Sequence, residues 1–326
     1  MNNPLVSVVL SVYNAEKYIA EAIESILTQS YKNFEFIIID DGSTDGSLEI
    51  VKSYDDERII LISRENKGLI ASLNEGIGQA KGKYIARMDA DDVSLPHRLE
   101  RQVEFMEGNP SIGMSGSNVL VFGDDVETYI WKLSRNDDTI KSELLFSSTF
   151  VHPSVIINRK MVVNNSLYYD SGFLHAEDFE LWTRIAKFTR MENVTEVLLK
   201  YRVVKDSVTR EADKDIEKRY AIHKKIFNVY LTSLELENSD EEHRLHFNIS
   251  LNKRIKETEI DFKELEQYLN KLLMANKNTK FFDTLELKKV LGKKWLVNIY
   301  YRKKFSKIFS KYFWYGILGL IHKWIR

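Results

Sequence analysis

The sequence predicts an α/β fold: a mostly parallel sheet with helices on both faces, followed by a helical C-terminal region. Two observations support this prediction. In the first hundred residues, short runs of β-type residues alternate with segments of helical periodicity, as expected of successive β-α-β units. The run 36–39 is apolar at every position, which indicates a strand buried on both faces.

Four strands are expected in this half, at residues 6–12, 34–40, 59–62 and 84–88. Between and after them, apolar residues recur at helical spacing within 19–27, within 69–80 and within 99–106. We expect Asn14 to cap the first of these helices. In the helix of 99–106, Pro96 should lie in the first turn and Asn109 should mark the end.

The second half divides into two parts. Residues 111–210 are less regular, with strands expected near 114–122, 154–158 and 194–204 around a helix near 177–187. From residue 211 to the end at 326 the pattern is helical and charged, and it has few Gly or Pro residues. We therefore predict an α/β domain of residues 1–210 and a helical region of residues 211–326.

Composition excludes several classes of protein. The chain of 326 residues has no cysteine, so disulfides and thiolate metal sites are excluded, and a reducing cytoplasm fits. The apolar stretch 5–12 is too short to span a membrane and lacks a basic segment before it, which argues against a secretory signal. All of the acidic residues precede position 288, and the acidic body that results argues against a nucleic-acid partner.

Polar side chains follow three of the predicted strands: Ser11 and Tyr13, then Asp40 and Asp41, and finally Asp89, Ala90 and Asp91. The carboxyl ends of parallel strands meet at one edge of a sheet, where ligands bind. Together with Asp92, the last group brings three carboxylates into four positions, and they repel one another unless solvent, a helix terminus or a cation compensates. Mg²⁺ or Mn²⁺ would suit these oxygen ligands, whereas a plain acidic loop before the next helix is the simpler alternative.

The pair Asp40 and Asp41 has two interpretations as well. Gly42 suits a tight turn, but turn chemistry does not require two carboxylates at the end of a strand. One of them can accept a hydrogen bond from the imide N–H of uracil. Tyr13 can stack on the same base, or it can be an ordinary tyrosine at the rim of the core.

In their order and spacing, residues 8–14 (Val-Val-Leu-Ser-Val-Tyr-Asn), 39–45 (Ile-Asp-Asp-Gly-Ser-Thr-Asp) and 89–92 (Asp-Ala-Asp-Asp) resemble family 2 glycosyltransferases. The resemblance is dense over residues 5–110 and continues sparsely to about 210. It implies a GT-A fold and the transfer of a sugar from a nucleotide donor, usually UDP-linked, with inversion at the anomeric carbon. Residues 1–110 would then bind the donor and residues 111–210 the acceptor.

The resemblance also implies roles for individual residues. Ser11, Tyr13 and Asp41, with Asp40 beside it, match nucleoside contacts of the family. Asp89 and Asp91, on either side of Ala90, match its Asp-x-Asp pair, with Asp91 as the favoured direct ligand of Mn²⁺ or Mg²⁺. Lys67 is placed near the diphosphate.

The segment 176–182 (Ala-Glu-Asp-Phe-Glu-Leu-Trp) resembles the Glu-Asp motif that supplies the general base in inverting members. We expect Asp178 to be this base, with Glu177 as the second candidate; as an alternative, both simply favour the N-terminus of a helix. His152 and Trp182 are placed on the acceptor side, although a lone His beside Pro is often structural. Arg202, with Lys205 and Ser207 after it, either approaches the diphosphate or forms surface ion pairs.

The C-terminal tail, residues 288–326, combines basic and aromatic residues. It holds eleven of the 47 lysines and arginines and none of the 48 acidic residues. Its longest apolar run, 312–321, is too short to cross a bilayer, so the tail should lie on an anionic membrane rather than span it. The alternative is a helix that packs on the acidic body or in the interface of a homo-oligomer.

These expectations combine into a metal-dependent enzyme that transfers glucose, galactose or an N-acetylhexosamine from UDP to a glycan, a glycolipid or a glycoprotein. It would be cytoplasmic, with peripheral contact to the inner face of the membrane. A protein that binds the nucleotide sugar without turnover, as a scaffold, is the alternative. A dinucleotide-dependent oxidoreductase is excluded because no Gly-x-Gly-x-x-Gly follows a strand. An aspartyl phosphotransferase is also disfavoured. That class carries its Asp-x-Asp-x-Thr after the first strand, whereas the paired aspartates of this chain follow the fourth.

Overall fold

A computed structural model of the chain describes residues 4–204, 215–251 and 258–324. Lys205 and Ser207 lie outside these ranges. By its internal contacts the chain forms two compact units, Met1–Asn136 with Phe150–Lys214, and Asp137–Thr149 with Asp215–Arg326. The segment Asp137–Thr149, which the sequence analysis assigns to the acceptor half, thus belongs to the second unit.

The strands of the described residues all belong to the first unit: β1 (Val6–Val12), β2 (Phe34–Asp40), β3 (Ile59–Ser63), β4 (Tyr84–Asp89), β5 (Val93–Ser94), β6 (Ile112–Gly123), β7 (Tyr129–Trp131), β8 (Ile156–Asn158) and β9 (Arg190–Val203). The helices of this unit are α1 (Ile19–Leu27), α2 (Ser47–Lys52), α3 (Leu69–Gln79), α4 (Arg98–Gly108), α6 (Arg159–Asn164) and α7 (Glu177–Ile185). The second unit has α5 (Asp137–Leu144), α8 (Ile216–Leu231), α9 (Asp240–Ser250), α10 (Phe262–Thr279), α11 (Thr284–Arg302) and α12 (Lys311–Trp324).

The strands form one sheet in the order β3-β2-β1-β4-β8-β6-β9-β5, with β7 paired to β6. The pairs β3-β2, β2-β1 and β1-β4 are parallel, which confirms the predicted β-α-β half. The pair β6-β9 is also parallel, but β8 runs antiparallel to both of its neighbours, so the second half of the sheet is mixed. The carboxyl ends of β1, β2 and β4 therefore meet at one edge.

Alternate residues of β1 point to opposite faces of the sheet, and each face is covered by helices. Val8 and Leu10 belong to one core cluster with Ile23 of α1. On the other face, Val9 lies against α3, where a Cβ added to Gly76 would come within 2.3 Å of the Val9 side chain. Both faces are therefore buried, as the continuous apolar run in β2 predicts.

The boundaries of β1 and β2 agree with the prediction, but the expected N-cap of α1 is wrong. Helix α1 begins after Tyr18, and no side chain caps it. Asn14 instead adopts a positive φ of 50°, and its side-chain oxygen accepts a hydrogen bond from Thr44 N at 2.7 Å. The polar side chain thus joins the loops after β1 and β2.

The N-terminal end of α4 differs from the prediction, whereas its C-terminal end agrees with it. Its N-cap is His97, so Pro96 precedes the helix instead of lying in its first turn. The C-cap is Asn109, as predicted. A proline is equally compatible with the position before the cap, because its fixed φ also suits an extended residue.

The second unit is helical, as the polar and apolar periodicity after residue 211 predicts. Helix α9 begins with a capping box in which Ser239 and Glu242 exchange side-chain-to-backbone bonds. Large side chains fill the core of the second unit, among them Phe227, Phe247 and Trp295. Within the described ranges, no helix is both long enough and apolar enough to cross a membrane.

Candidate active site

Polar residues at the carboxyl ends of β1, β2 and β4 lie side by side. Ser11 in β1 is in register with Asp89 of β4 on one side and with Ile39 of β2 on the other. The next residue of β1, Val12, is in register with Asp40, and Val12 O accepts a hydrogen bond from Asp41 N at 2.9 Å. The parallel register therefore brings three of the predicted groups to one edge.

Asp40 and Asp41 are both buried, and each holds loops in place. Asp40 accepts hydrogen bonds from Ser43 N at 3.2 Å and from the Ser63 hydroxyl at 2.9 Å. These bonds tie the turn after β2 to the end of β3. The turn itself needs Gly42, whose φ of 74° suits glycine.

The Asp41 carboxylate organises the loop that precedes α3. It accepts the backbone N–H groups of Lys67 and Gly68 at 2.8 and 2.9 Å, and it forms an ion pair with Arg64. Arg64 also pairs with Glu75 of α3 at 2.6 Å. Asp41 thus fixes the backbone at residues 67–68, whereas the Lys67 side chain is exposed.

Tyr13 directly follows β1 and is 51% exposed at the same edge. An aromatic ring that projects at the end of a central strand can stack on a planar base. The loop beneath it is fixed, since the Ala15 and Glu16 backbone N–H groups bond to the side chains of Ser47 and Asp45. The backbone that carries the Tyr13 ring is therefore held in place by these hydrogen bonds.

Three carboxylates gather after β4. One oxygen from each of Asp89, Asp91 and Asp92 lies within 4.8 Å of the others. Burial, with the nearby charge of Asp89, raises the pKa of the Asp91 carboxyl to about 6. Asp92 is buried, and this burial raises its pKa well above the usual range. Ala90, between Asp89 and Asp91 in the sequence, packs against the core.

Strand β9 holds this acidic loop in place. Arg202 N donates to an Asp92 oxygen at 2.7 Å, and the Arg202 guanidinium Nε donates to the carbonyl of Asp91 at 2.7 Å. The guanidinium also pairs with Glu21 and lies over the Tyr18 ring, 4.8 Å from its centre. Arg202 therefore forms an ion pair, as one of its two predicted roles states, and also fixes the acidic loop.

The cluster fits a hard divalent cation. All three side chains offer carboxylate oxygens, which Mg²⁺ and Mn²⁺ prefer. The second oxygen of Asp92 is buried and has no hydrogen-bond partner among residues 4–204, 215–251 and 258–324. A buried, unpaired carboxylate oxygen is unfavourable unless a cation compensates it. Asp89, Asp91 and Asp92 are the residues that would hold the metal.

Arg87, two positions before Asp89 on the same face of β4, lies beneath the site. It is 5% exposed and forms an ion pair with Asp89. Burial raises the pKa of Asp92 and that of Asp178, and the positive charge of Arg87 offsets part of each rise. The acidic loop and the start of α7 therefore lie around one buried guanidinium.

The two acidic residues of the Glu-Asp motif open α7, after the uncapped Ala176. Burial, then the charge of Glu177, raises the pKa of the Asp178 carboxyl to about 7. One Asp178 oxygen accepts the N–H of Phe179 at 2.7 Å, which orients the carboxyl. A carboxyl that is half ionised near pH 7 is suited to act as a general base. Glu177 is more deeply buried, and burial raises its pKa as well.

His152 and Trp182 lie next to each other beside Tyr169. The edge-to-face pair of His152 and Trp182 has ring centres 5.8 Å apart, and His152 Nε2 hydrogen bonds to the Tyr169 hydroxyl at 2.7 Å. Burial and the charge of Arg87 lower the pKa of His152 well below its usual range, so the ring is neutral. Trp182 is fully buried. It is thus a core side chain next to His152 and not part of an exposed surface.

Sequence reasoning missed Arg87 and Tyr169, and it did not single out Asp92 within the acidic group. A signal for Arg87 was present, because a charged residue within the apolar strand β4 needs a buried partner. Asp92 is adjacent to the recognised pair and is the most deeply buried of the three carboxylates. Tyr169 gave no local signal, since it lies in an irregular segment and reaches the site only through the fold.

Comparison with known proteins finds a family model and several similar chains. The model of the family described as "Glycosyl transferase family 2" matches residues 7–167. An uncharacterized glycosyltransferase of Haemophilus influenzae is 37% identical over 62% of this chain and 66% of its own length, just under two thirds. The O-antigen biosynthesis glycosyltransferase WbnJ of Escherichia coli is 34% identical over 64% of this chain and 83% of its own length.

Among solved structures, residues 1–349 of S. aureus TarS in complex with UDP-GlcNAc have a similar fold. The TM-score is 0.62 at 18% identity, and the match covers 91% of this chain and 88% of that one. At this level of identity the likeness concerns the fold alone. It confirms the GT-A architecture predicted from the motifs.

Proposed function

The chain belongs to glycosyltransferase family 2, and on that basis we propose that it transfers a sugar from a UDP-sugar to a glycan acceptor with inversion at the anomeric carbon. One observation carries the proposal. Asp178, with a pKa near 7, and the aspartates after β4 lie around the same buried guanidinium of Arg87. A candidate base and a candidate cation-binding group thus both lie near Arg87.

In this proposal, the residues at the ends of β1, β2 and β4 bind the donor and its cation. Tyr13 stacks on the base of the nucleotide. The loops that Asp40 and Asp41 organise, which include the Lys67 backbone, enclose the nucleoside together with Ser11. Asp89, Asp91 and Asp92 hold a divalent cation, either Mn²⁺ or Mg²⁺. When bound, that cation supplies positive charge against the leaving diphosphate.

The transfer step begins at the acceptor hydroxyl. Asp178 takes the hydroxyl proton while the oxygen forms a bond to the anomeric carbon and the bond from that carbon to the diphosphate breaks. The products are the extended glycan, UDP and a protonated Asp178, which then returns its proton to solvent. Its raised pKa matches this task, because a strongly acidic carboxylate is a weak base.

For the acceptor we propose a cell-surface glycan that grows on a lipid or protein carrier. The WbnJ relative, a glycosyltransferase of O-antigen biosynthesis, supports this class of acceptor. His152, which is hydrogen bonded to Tyr169, would lie at the inner end of the acceptor pocket, with Trp182 packed behind it.

The test is a donor screen by UDP release with UDP-glucose, UDP-galactose and their N-acetyl forms, each with and without Mn²⁺. We expect release with at least one donor, dependence on the cation, and loss of turnover in Asp91→Ala. Asp55→Asn, an exposed aspartate before β3, is the matched control and should retain activity. Near-normal transfer by a folded Asp91→Ala protein would contradict the metal assignment.

A further inference from the structure

The end of α11, the short helix after it and the start of α12 expose large aromatic residues. Phe309 is 88% exposed, and the others are nearly as accessible: Tyr300 70%, Trp314 61% and Phe305 60%. Isolated exposed aromatics are common on soluble proteins, but four within fifteen positions are not. We call this region, residues 300–314, the basic aromatic surface.

Lysines surround these rings. Lys303, Lys304, Lys307 and Lys311 are all exposed. The stretch from residue 288 to the end at 326 contains no acidic residue, so no carboxylate of its own neutralises them. The surface therefore combines apolar rings and positive charge within fifteen positions of the chain.

Specific contacts hold this surface in shape. The Trp295 indole N–H donates to the Lys307 carbonyl at 3.1 Å, and the Ser310 hydroxyl donates to Glu266 at 2.8 Å. Tyr312 is fully buried, and its hydroxyl bonds to Asn270 at 2.9 Å. The short helix Phe305–Phe309 is thus fixed to α10 and α11, while the rings of Phe305 and Phe309 are exposed.

Helix α12 continues the exposed apolar surface. Its inner face packs closely on α11, since a Cβ added to Gly292 would lie 2.1 Å from Gly316 N. Its outer face presents Trp314, Leu318 and Ile321, which follow one another at spacings of four and three and are each about half exposed or more. With fourteen residues, α12 is too short to cross a bilayer.

We propose that the basic aromatic surface, with the outer face of α12, docks the protein on an anionic phospholipid bilayer. The rings and the aliphatic stripe enter the interfacial region while the lysines contact the headgroup phosphates. Charge complementarity favours this occupant. A second copy of the chain would bring two sets of lysines together, whereas an anionic lipid surface neutralises them.

The experiment is co-sedimentation of the full chain with vesicles of phosphatidylcholine alone or of phosphatidylcholine mixed with the anionic lipid phosphatidylglycerol. We expect binding to the anionic vesicles and a marked loss in high salt. Each lysine should contribute about fivefold. The double variant Lys304→Glu with Lys307→Glu should therefore bind at least about 25-fold more weakly. Phe305→Ser with Phe309→Ser should lose at least about tenfold.

Phe188→Ser is the control, because Phe188 is an exposed phenylalanine of the first unit, 55% accessible, and lies outside the basic aromatic surface. It should bind vesicles as the wild type does. Release of UDP in the absence of vesicles should be the same in all of these proteins, so a failure of the transferase proposal would remain separate. Two results would overturn the docking proposal: no binding of the wild type to anionic vesicles, or variants that change the oligomeric state while vesicle binding is retained.

Discussion

Replacing Asp178 by Asn should abolish transfer and at the same time stabilise the protein. The substitution keeps the shape of the side chain and an oxygen that can accept the Phe179 N–H. In the wild type, the pKa of this carboxyl is raised from 3.8 to about 7, mainly by burial. A rise of about three units corresponds to roughly 4 kcal/mol against the ionised form. Since the side chain is only partly buried, we expect about half, ~2 kcal/mol.

The sign of the effect follows from linkage. The native pKa lies above that of the unfolded chain, so the wild type has its full stability below about pH 4 and loses it as pH rises to about 7. An amide does not titrate. The variant should therefore match the wild type near pH 4 and exceed it by ~2 kcal/mol at pH 8.

Urea unfolding at several pH values measures this difference, and calorimetry with UDP tests whether the donor site survives. Asp55→Asn, at an exposed position, is the control and should show no such pH dependence. A variant that is no more stable than the wild type at pH 8, or a difference that is the same at all pH values, would refute the reasoning.

Three further predictions concern the same site. With Asp178 as base, kcat for transfer should rise about tenfold from pH 6 to pH 8, as a pH profile of UDP release can measure; a profile already flat from pH 5 would contradict this. Arg87→Met leaves Asp89 without its ion-pair partner and should reduce the free energy of unfolding by about 3 kcal/mol, with partial recovery in Arg87→Lys. Gly42→Ala forces a side chain into a positive φ, with its Cβ 2.7 Å from Asn66 N. It should lower stability by about 1–2 kcal/mol and weaken UDP binding by calorimetry; unchanged values for both would show that the turn is tolerant.

The first half of the fold could be predicted from sequence because its signals are local. Strand β2 is apolar over most of its length, and α1 repeats apolar residues at helical spacing, so both elements are determined by their own residues. The carboxylates at strand ends were identified for the same reason. A parallel register then needs only the β-α-β rule to bring Asp41 and Asp91 to one edge.

The parts that escaped prediction depend on distant partners. Asn14 looks like a helix cap, yet its side chain bonds to Thr44, thirty positions away. Helix α5 has an ordinary amphipathic pattern, and only its partners decide that it belongs to the second unit. Local sequence contains no information on which of several apolar surfaces a helix covers.

The anchoring of the acidic loop by Arg202 also has a consequence for the order in which the chain folds. The residues joined by this contact, Asp92 and Arg202, are 110 positions apart, so the loop gains its backbone partner only when β9 is in place. During synthesis the amino-terminal half emerges first and can build its parallel sheet early. The acidic loop would be completed only after β9 has emerged and paired, so any ligand site that depends on it would form late in synthesis.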